Sequence, residues 1–541
     1  MTQRVFRNVL VSLLIMLMLP SPFLSTIAQG RDSSGQQESK EEKKLREQEE
    51  KRAKQEQKRK EKEAKARSKQ TKTYNTLREF AEDLYASDPE FRDQVDEAYL
   101  DLQAEHALQA YQVNITRATE LIYPETEDIG LKIRRVLYDN PRVQDYINSV
   151  GQRLVPDDSD KLYAFKVTYH PIPYAYTFST GTVLVSTGMI SLLDNEAQLA
   201  YVLAHELAHV YKNHWKVKVM MPLAEQEFNE RQQKKRRIWG LIGVAAGAAI
   251  GGIAKGGEGA ALGATIGLTA GYAIGSILNK KIGVDWDAAQ ENEADDFALR
   301  TVMEKYYDAK EVPNLYTAMQ YVARSDERVQ LGFLGHRSRI RQRKEYAESQ
   351  LLGPLSGKYQ ELVKSGKMVG TTPNYNLVMA ELKRDNGIEA YRFDMFEMAK
   401  RNLQQAVSLR SDDARATFYY GRVLKLVGRT PEDKELAQQH LLDAIRLDVR
   451  GEIPEARLQR ALMAMENKEP TARTQAVQAF KDYLNTYQNR KCENVDCLPP
   501  NLDIIYDYMR LLGEKTWEPS APRTTAVATP AQGDKPAKKN E

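Results

Sequence analysis

Two cysteines in 541 residues exclude both a disulfide-built scaffold and a zinc cluster held by thiolates. A metal in this chain must be held by His and carboxylate side chains. An excess of one charge is also missing. Lys and Arg number 78 against 75 Asp and Glu, a formal net charge of +3, so no polyanionic partner is indicated and nucleic acid is not expected. The N-terminus lacks a long apolar run, because residues 9–19 are too short for a comfortable bilayer span. That run follows Arg4 and Arg7 and precedes Ser25, Thr26, Ile27 and Ala28, the layout of an export signal over residues 1–28. The chain is therefore expected to be exported, in the periplasm or membrane-associated on its periplasmic side, with the signal cleaved or kept as an anchor. In that compartment Cys492 and Cys497 form a small-loop disulfide or remain two thiols.

The stretch that organises the chain is residues 195–215, NEAQLAYVLAHELAHVYKNHW. It has no Pro or Gly and is rich in Ala and Leu, which predicts a helix. His205 and His209 are four apart, so they share a helical face and can present two imidazoles to one zinc ion. Glu206, beside the first ligand, is placed to take a proton from a water held at that metal. A surface helix could carry the same residues without a metal. Here Leu203, Ala204, Leu207, Ala208 and Val210 make the helix apolar nearly all round, and a buried His-Glu-His cluster without an ion would be costly.

A third ligand is offered by residues 287–298, DAAQENEADDFA, which also read as a helix. Glu291 and Asp295 share a face. Glu291 would complete a His2Glu zinc site with one open position. Asp295, one turn on, would accept a hydrogen bond from a liganding imidazole. Glu293 and Asp296 read as the solvated side of that helix. His214 lies five residues past His209, off the zinc face, and is not expected to be a ligand.

The rest of the chain divides around this pair of motifs. Residues 29–73, almost wholly Glu, Lys, Arg and Gln, form a charged spacer, disordered or a single helix. Residues 74–350 carry the catalytic domain, α+β and mainly helical, with short strands at 165–169, 175–178 and 182–186. Thr182, Val183, Leu184 and Val185 are expected to be an edge strand that pairs with an extended substrate, the alternative being a plain structural strand. Residues 238–278 are Gly- and Ala-rich with small residues every fourth position, which suits a helical hairpin. It packs on the catalytic domain or a partner, associates with a membrane, or serves as a linker. Over residues 375–490, Ala399, Leu403, Ala406 and Leu409 recur as Ala437, Leu441, Ala444 and Leu447, and more loosely as Ala476, Phe480 and Tyr483. This resembles tetratricopeptide repeats, an α-helical solenoid that binds peptides or proteins. A helical cap at 491–518 and a disordered tail at 519–541 complete the reading.

The pairing of H-E-L-A-H at 205–209 with E-N-E-A-D at 291–295 resembles the gluzincin metallopeptidases that include HtpX, the CAAX prenyl endopeptidases, the mitochondrial Oma-type proteases and the periplasmic BepA group. The stretch V-S-T-G-M-I-S-L-L-D-N-E-A-Q before the first motif is similar to that family too. The resemblance covers roughly residues 125–345. It implies a zincin-type fold, one Zn2+ per chain held by His205, His209 and Glu291, Asp295 supporting a zinc histidine, and Glu206 as general base. It also draws attention to His336, since the family often places a Thr-His-Pro segment there; this chain has Gly335-His336-Arg337. His336 is then a catalytic residue beside the metal or a surface loop residue. Another departure is Ala175-Tyr176-Thr177-Phe178, where relatives often have Asn-Ala. The expected function is an exported zinc metalloendopeptidase in envelope protein quality control, with repeats that bind substrates or an assembly partner. The alternative is a chaperone or assembly scaffold whose zinc domain is latent.

Overall fold

A computed structural model describes residues 40–115, 137–232, 288–325, 337–467, 470–488 and 502–514. The export signal at 1–28, the Gly/Ala-rich stretch at 238–278, His336, Cys492, Cys497 and the tail at 519–541 lie outside the described residues. Among the described residues, no helix is long and apolar enough to cross a membrane.

The described residues form two units, one ending at Lys65 and one beginning at Ala66. In the first, residues 40–65 are the opening of helix α1 (Lys40–Ser87). From residue 44 they are almost entirely exposed and carry i,i+4 ion pairs such as Arg59 with Glu63. In the second unit α1 changes character. Tyr74, Ala81 and Leu84 recur at helical spacing and are buried with Phe91 and Val95 of helix α2 (Pro89–Ile115). Asp88 separates the two helices, its carboxylate accepting from the backbone N–H groups of Glu90 and Phe91, and Pro89 opens the next helix.

The main body of the second unit starts with helix α3 (Pro141–Leu154), capped by Asn140, whose side chain accepts from Val143 N. Val143, Ile147, Val150 and Leu154 form its buried stripe. Three strands follow, β1 (Ala164–Thr168), β2 (Ala175–Thr177) and β3 (Thr182–Ser186). Their order is β1-β3-β2, with β1 parallel and β2 antiparallel to β3. The turn from β2 to β3 needs Gly181, whose φ of +89° is open to glycine and strained for other residues. Side chains alternate across the sheet. Phe165, Val167, Val183 and Val185 enter the main core, while Tyr176, Phe178 and Leu184 meet Leu102 of α2 and Trp215 on the other face.

This sheet order corrects one expectation. Thr182, Val183, Leu184 and Val185 are not on an edge, since β3 is paired on both sides. Local composition marks a strand but not its neighbours. Among the described residues the outer strands are β1 and β2, and the outward backbone of β1 is bonded at Val167 to Tyr138 N and the Gln144 side chain and at Phe165 to Asn148 Oδ1, which leaves β2 as the edge to consider. Ser186 N donates to Tyr174 O and Phe178 N to Thr182 O, so residues 174, 176 and 178 bond inward. The backbone N–H and C=O groups of Ala175 and Thr177 therefore point away from β3.

After helix α4 (Thr187–Leu192) comes helix α5 (Glu196–Tyr211), capped by Asn195 and buried on every side up to Val210. Helices α6 (His214–Gln232), α7 (Ala288–Glu304), α8 (Glu311–Ser325), α9 (Arg337–Leu352) and α10 (Ser356–Ser365) complete the body. Six helices then pair as hairpins: α11 (Pro373–Arg392) with α12 (Phe396–Leu409), α13 (Ala414–Val427) with α14 (Pro431–Leu447), and α15 (Pro454–Glu466) with α16 (Ala472–Gln488). A last helix, α17 (Leu502–Leu511), packs Ile505 and Met509 on the third hairpin. Ala399, Leu403, Ala406, Ala437, Leu441, Ala444, Ala476, Phe480 and Tyr483 are buried, and Leu409 is exposed.

Candidate metal centre

Helix α5 presents His205 and His209 on one face, and α7 packs across that face with Glu291. The two imidazole Nε2 atoms are 3.3 Å apart. Glu291 Oε2 lies 3.4 Å from His205 Nε2, and Glu291 Oε1 lies 3.8 Å from His209 Nε2. Three donors each 2.0–2.2 Å from a tetrahedral zinc ion would be separated by about 3.4 Å. The 3.3 Å between the imidazoles and the 3.4 Å from His205 to Glu291 Oε2 match that edge length, and the other carboxylate oxygen stands 3.8 Å from His209. Two imidazoles and one carboxylate are also a donor set that zinc takes up with one position left open. Residues and spacing therefore fit the metal, and all three side chains are buried.

Asp295, on the next turn of α7, sits 3.1 Å from His205 Nδ1 through Oδ1. A carboxylate only accepts, so it holds the imidazole proton at Nδ1 and leaves Nε2 for a cation. Tyr201 and Tyr316 donate to the same oxygen at 2.9 and 3.2 Å. Burial alone would raise the Asp295 carboxyl, but Arg343 and His205 outweigh it and hold it well below the carboxylate range. Glu291 follows the same logic. Burial raises it, while the His205 hydrogen bond and the charges of His205 and Arg343 bring it below its ordinary value. Burial and Arg343 lower the His205 imidazole, yet Asp295 and Glu291 prevail and raise it. The pocket around His205 attracts positive charge.

Glu206 is buried, and its Oε2 accepts from Thr177 Oγ1 at 2.5 Å. Thr177 belongs to β2, so the edge strand and the carboxylate are joined directly. Burial pushes the Glu206 carboxyl up to about 7, against the lowering effects of His205 and Thr177. A carboxylate poised near neutrality can both take and return a proton.

Two groups escaped the sequence reading. Arg343, on α9, is only 2% exposed. Its Nε donates to Asp295 Oδ2 at 2.8 Å, its Nη2 to Asp295 Oδ1, and its Nη1 to Glu291 Oε2 at 3.3 Å. One signal was present. Ile340, Arg343, Ala347 and Leu351 form a buried stripe, so this arginine occupies a core position in an otherwise basic helix. The second group is Glu293, read as solvated. It bonds instead to His214 Nε2 at 3.2 Å and to Arg78 Nη1 at 3.1 Å. His214 lies outside the His205, His209 and Glu291 cluster, and its Nδ1 is 3.0 Å from His209 Nδ1. Asp296, the other residue read as solvated, bonds to Tyr346 Oη.

Comparison with known proteins agrees with this geometry. Residues 139–374 match the model of Peptidase family M48. The chain carries a peptidase family M48 domain. It is 29% identical over 209 residues to the Vibrio cholerae protein named "Putative beta-barrel assembly-enhancing protease", a match covering 38% of each chain. It is 36% identical over 81 residues to the beta-barrel assembly-enhancing protease of Escherichia coli K12, covering 14% of this chain and 16% of that protein. The Yersinia pestis protein of the same name is 35% identical over 81 residues, 15% and 16% of the two chains. The matched stretches thus span well under half the length of these relatives. The M48 match includes β1 to β3, both metal-site helices, Arg343 and the opening of α11.

Proposed function

We propose that the protein is an exported zinc-dependent metalloendopeptidase that hydrolyses peptide bonds in envelope proteins. The observation that carries this reading is the spacing of His205, His209 and Glu291, with Glu206 beside them on the same helix. Zinc bound there would polarise the scissile carbonyl and make a water acidic enough to attack it. His205, His209 and Glu291 would hold the ion, and Asp295 would keep His205 in the tautomer that binds it.

Glu206 takes the proton of the attacking water on its carboxylate and returns it to the leaving nitrogen. Thr177 Oγ1 orients that carboxylate. The substrate backbone, extended, pairs with the outward groups of Ala175 and Thr177 on β2. This places the bond to be cut beside Glu206, because Thr177 belongs to both the strand and the carboxylate contact. The helical hairpins supply a surface for substrate or assembly partners. The names of the relatives couple proteolysis with β-barrel assembly, and we place this chain in the same kind of envelope quality control.

A chaperone or scaffold reading is favoured by one observation. His205, Glu206, His209 and Glu291 are all buried, so the chain as described is closed around its metal site. The two readings separate in one experiment. Purified protein is assayed on casein before and after chelation and zinc replacement, beside Glu206→Gln. The peptidase reading expects turnover that zinc restores and that Glu206→Gln lacks. Client binding without cleavage, together with a deletion phenotype rescued by Glu206→Gln, would support the scaffold.

A further inference from the structure

The M48 match begins at residue 139, yet a side chain from residue 78 reaches the back of the metal centre. Arg78 lies on α1, which docks through Tyr74, Ala81 and Leu84 onto Val217, Met220 and Ala224 of α6 and Ala289 of α7. Its Nη1 is 3.1 Å from Glu293 Oε2. Its Nη2 is 3.5 Å from the carbonyl of Lys212, the residue that closes α5, and its Nε donates to Glu82 at 2.7 Å. The same Glu293 oxygen is 3.2 Å from His214 Nε2, and His214 Nδ1 is 3.0 Å from His209 Nδ1. Four side chains thus run in line from the N-terminal helix to the second metal-site imidazole.

Donor and acceptor roles along this line are determined by chemistry. A guanidinium only donates and a carboxylate only accepts. The proton between Glu293 and His214 therefore sits on His214 Nε2. A neutral His214 then accepts at Nδ1, so His209 carries its proton at Nδ1. His209 Nε2 is left with its lone pair toward Glu291 and His205. His205 reaches the same state by a shorter route, through Asp295 directly. Each imidazole is thus set by an accept-only carboxylate, one in direct contact and one through a second imidazole. The opposite tautomer at His209 would point an N–H into the corner where the ion binds.

We propose that Arg78, Glu293 and His214 are positioning residues that fix the His209 tautomer, so that docking of the N-terminal helix α1 is coupled to metal retention. The proposal rests on the metallopeptidase reading and extends it to a helix outside the M48 match. It implies that displacing α1 loosens the ion rather than merely opening a path to it.

The test is zinc affinity, by competition with a chromogenic chelator, on the full chain with the metal-free melting temperature measured alongside. Glu293→Gln should raise the zinc Kd about 10- to 100-fold, the usual effect of removing such a support. Arg78→Met should raise it by a smaller factor in the same direction. Arg78→Met/Glu293→Gln should bind no worse than Glu293→Gln alone, because both act through one line. Glu82→Gln, which touches Arg78 from the solvent side, should leave the Kd unchanged. Wild-type affinity in Glu293→Gln and Arg78→Met, with only the melting temperature lowered, would overturn the relay and leave the peptidase reading standing. A wild-type chain that binds no zinc would overturn both.

Discussion

Arg343 resolves an electrostatic problem posed by two neighbouring buried carboxylates. Glu291 and Asp295 are one turn apart, both buried, and both ionised. Without a resident cation they would repel each other in a medium that screens poorly. The buried guanidinium bonds to both carboxylates. Arg343→Met should therefore cost the metal-free protein about 3–5 kcal/mol, the range seen when one partner of a buried ion pair is removed. Urea unfolding with chelator present measures this, and a change under 1 kcal/mol would contradict it. Asp295→Asn tests the other half of the contact. An amide can present its NH2 to His205 and favour the wrong tautomer, so zinc affinity should fall about 10- to 100-fold. An unchanged affinity in a competition titration would show that Asp295 has no orienting role. At this scale the clustering of His205 and His209 was legible because i,i+4 spacing puts two side chains on one face whatever the fold. Arg343 and Glu293 were not, because their partners lie on other helices. Glu293 bonds to Arg78, 215 positions away in sequence. Its local pattern is that of an ordinary acidic face.

Among elements, the helix of His205 and His209 and the strands were readable and the sheet order was not. Thr182–Ser186 is β-branched and apolar, as an edge or a centre strand can be. Only the pairing with both β1 and β2 fixes it as the centre. The edge role passes to Ala175–Thr177, and the Thr177 contact with Glu206 gives it a consequence. Thr177→Val keeps the strand and removes the hydroxyl, so kcat should fall while KM for peptides changes little. A fall confined to KM would contradict the orienting role. In the hairpins, the small-large spacing of the second helices corresponds to how they meet the first. A Cβ on Gly387 would stand 2.7 Å from Leu403 Cγ, and one on Gly421 would stand 2.9 Å from Leu441 Cγ. The two glycines let equivalent leucines lie against equivalent backbones. Gly421→Val should destabilise the protein by about 1–3 kcal/mol through overpacking. Thermal unfolding checks this, and an unchanged melting temperature would mean that the hairpin yields without strain.

Across the whole molecule, the hairpins and the main body are joined by buried polar groups as well as apolar ones. Lys383 on α11 is buried, and its Nζ donates to Ser191 O at 2.7 Å, Leu193 O at 3.1 Å and Gln405 Oε1 at 2.7 Å. Asn386 and Asn402 both donate to Ser191 Oγ, at 3.0 and 3.1 Å. The end of α4 is therefore held by α11 and α12. No local pattern in the sequence foretold this seam, since a lysine or asparagine on a helix reads as solvated. Burial lowers the Lys383 ammonium to about 7. Its unfolded value is near 10.4. Between these two values the unfolded chain binds more protons than the folded one, so stability from this group rises with pH across that window and is lost as pH falls toward 7. Lys383→Met should remove that contribution. The wild-type minus variant stability should increase from pH 7 to pH 9.5, as read by urea unfolding. A flat or falling difference would contradict the assignment.

Three side chains from two helices, His205, His209 and Glu291, would share one ion. Zinc titration against a chromogenic chelator tests that directly on wild type, Glu206→Gln and Glu291→Ala. One tightly held equivalent in wild type and Glu206→Gln, and its loss in Glu291→Ala, is the predicted result; undiminished affinity in Glu291→Ala would contradict the site.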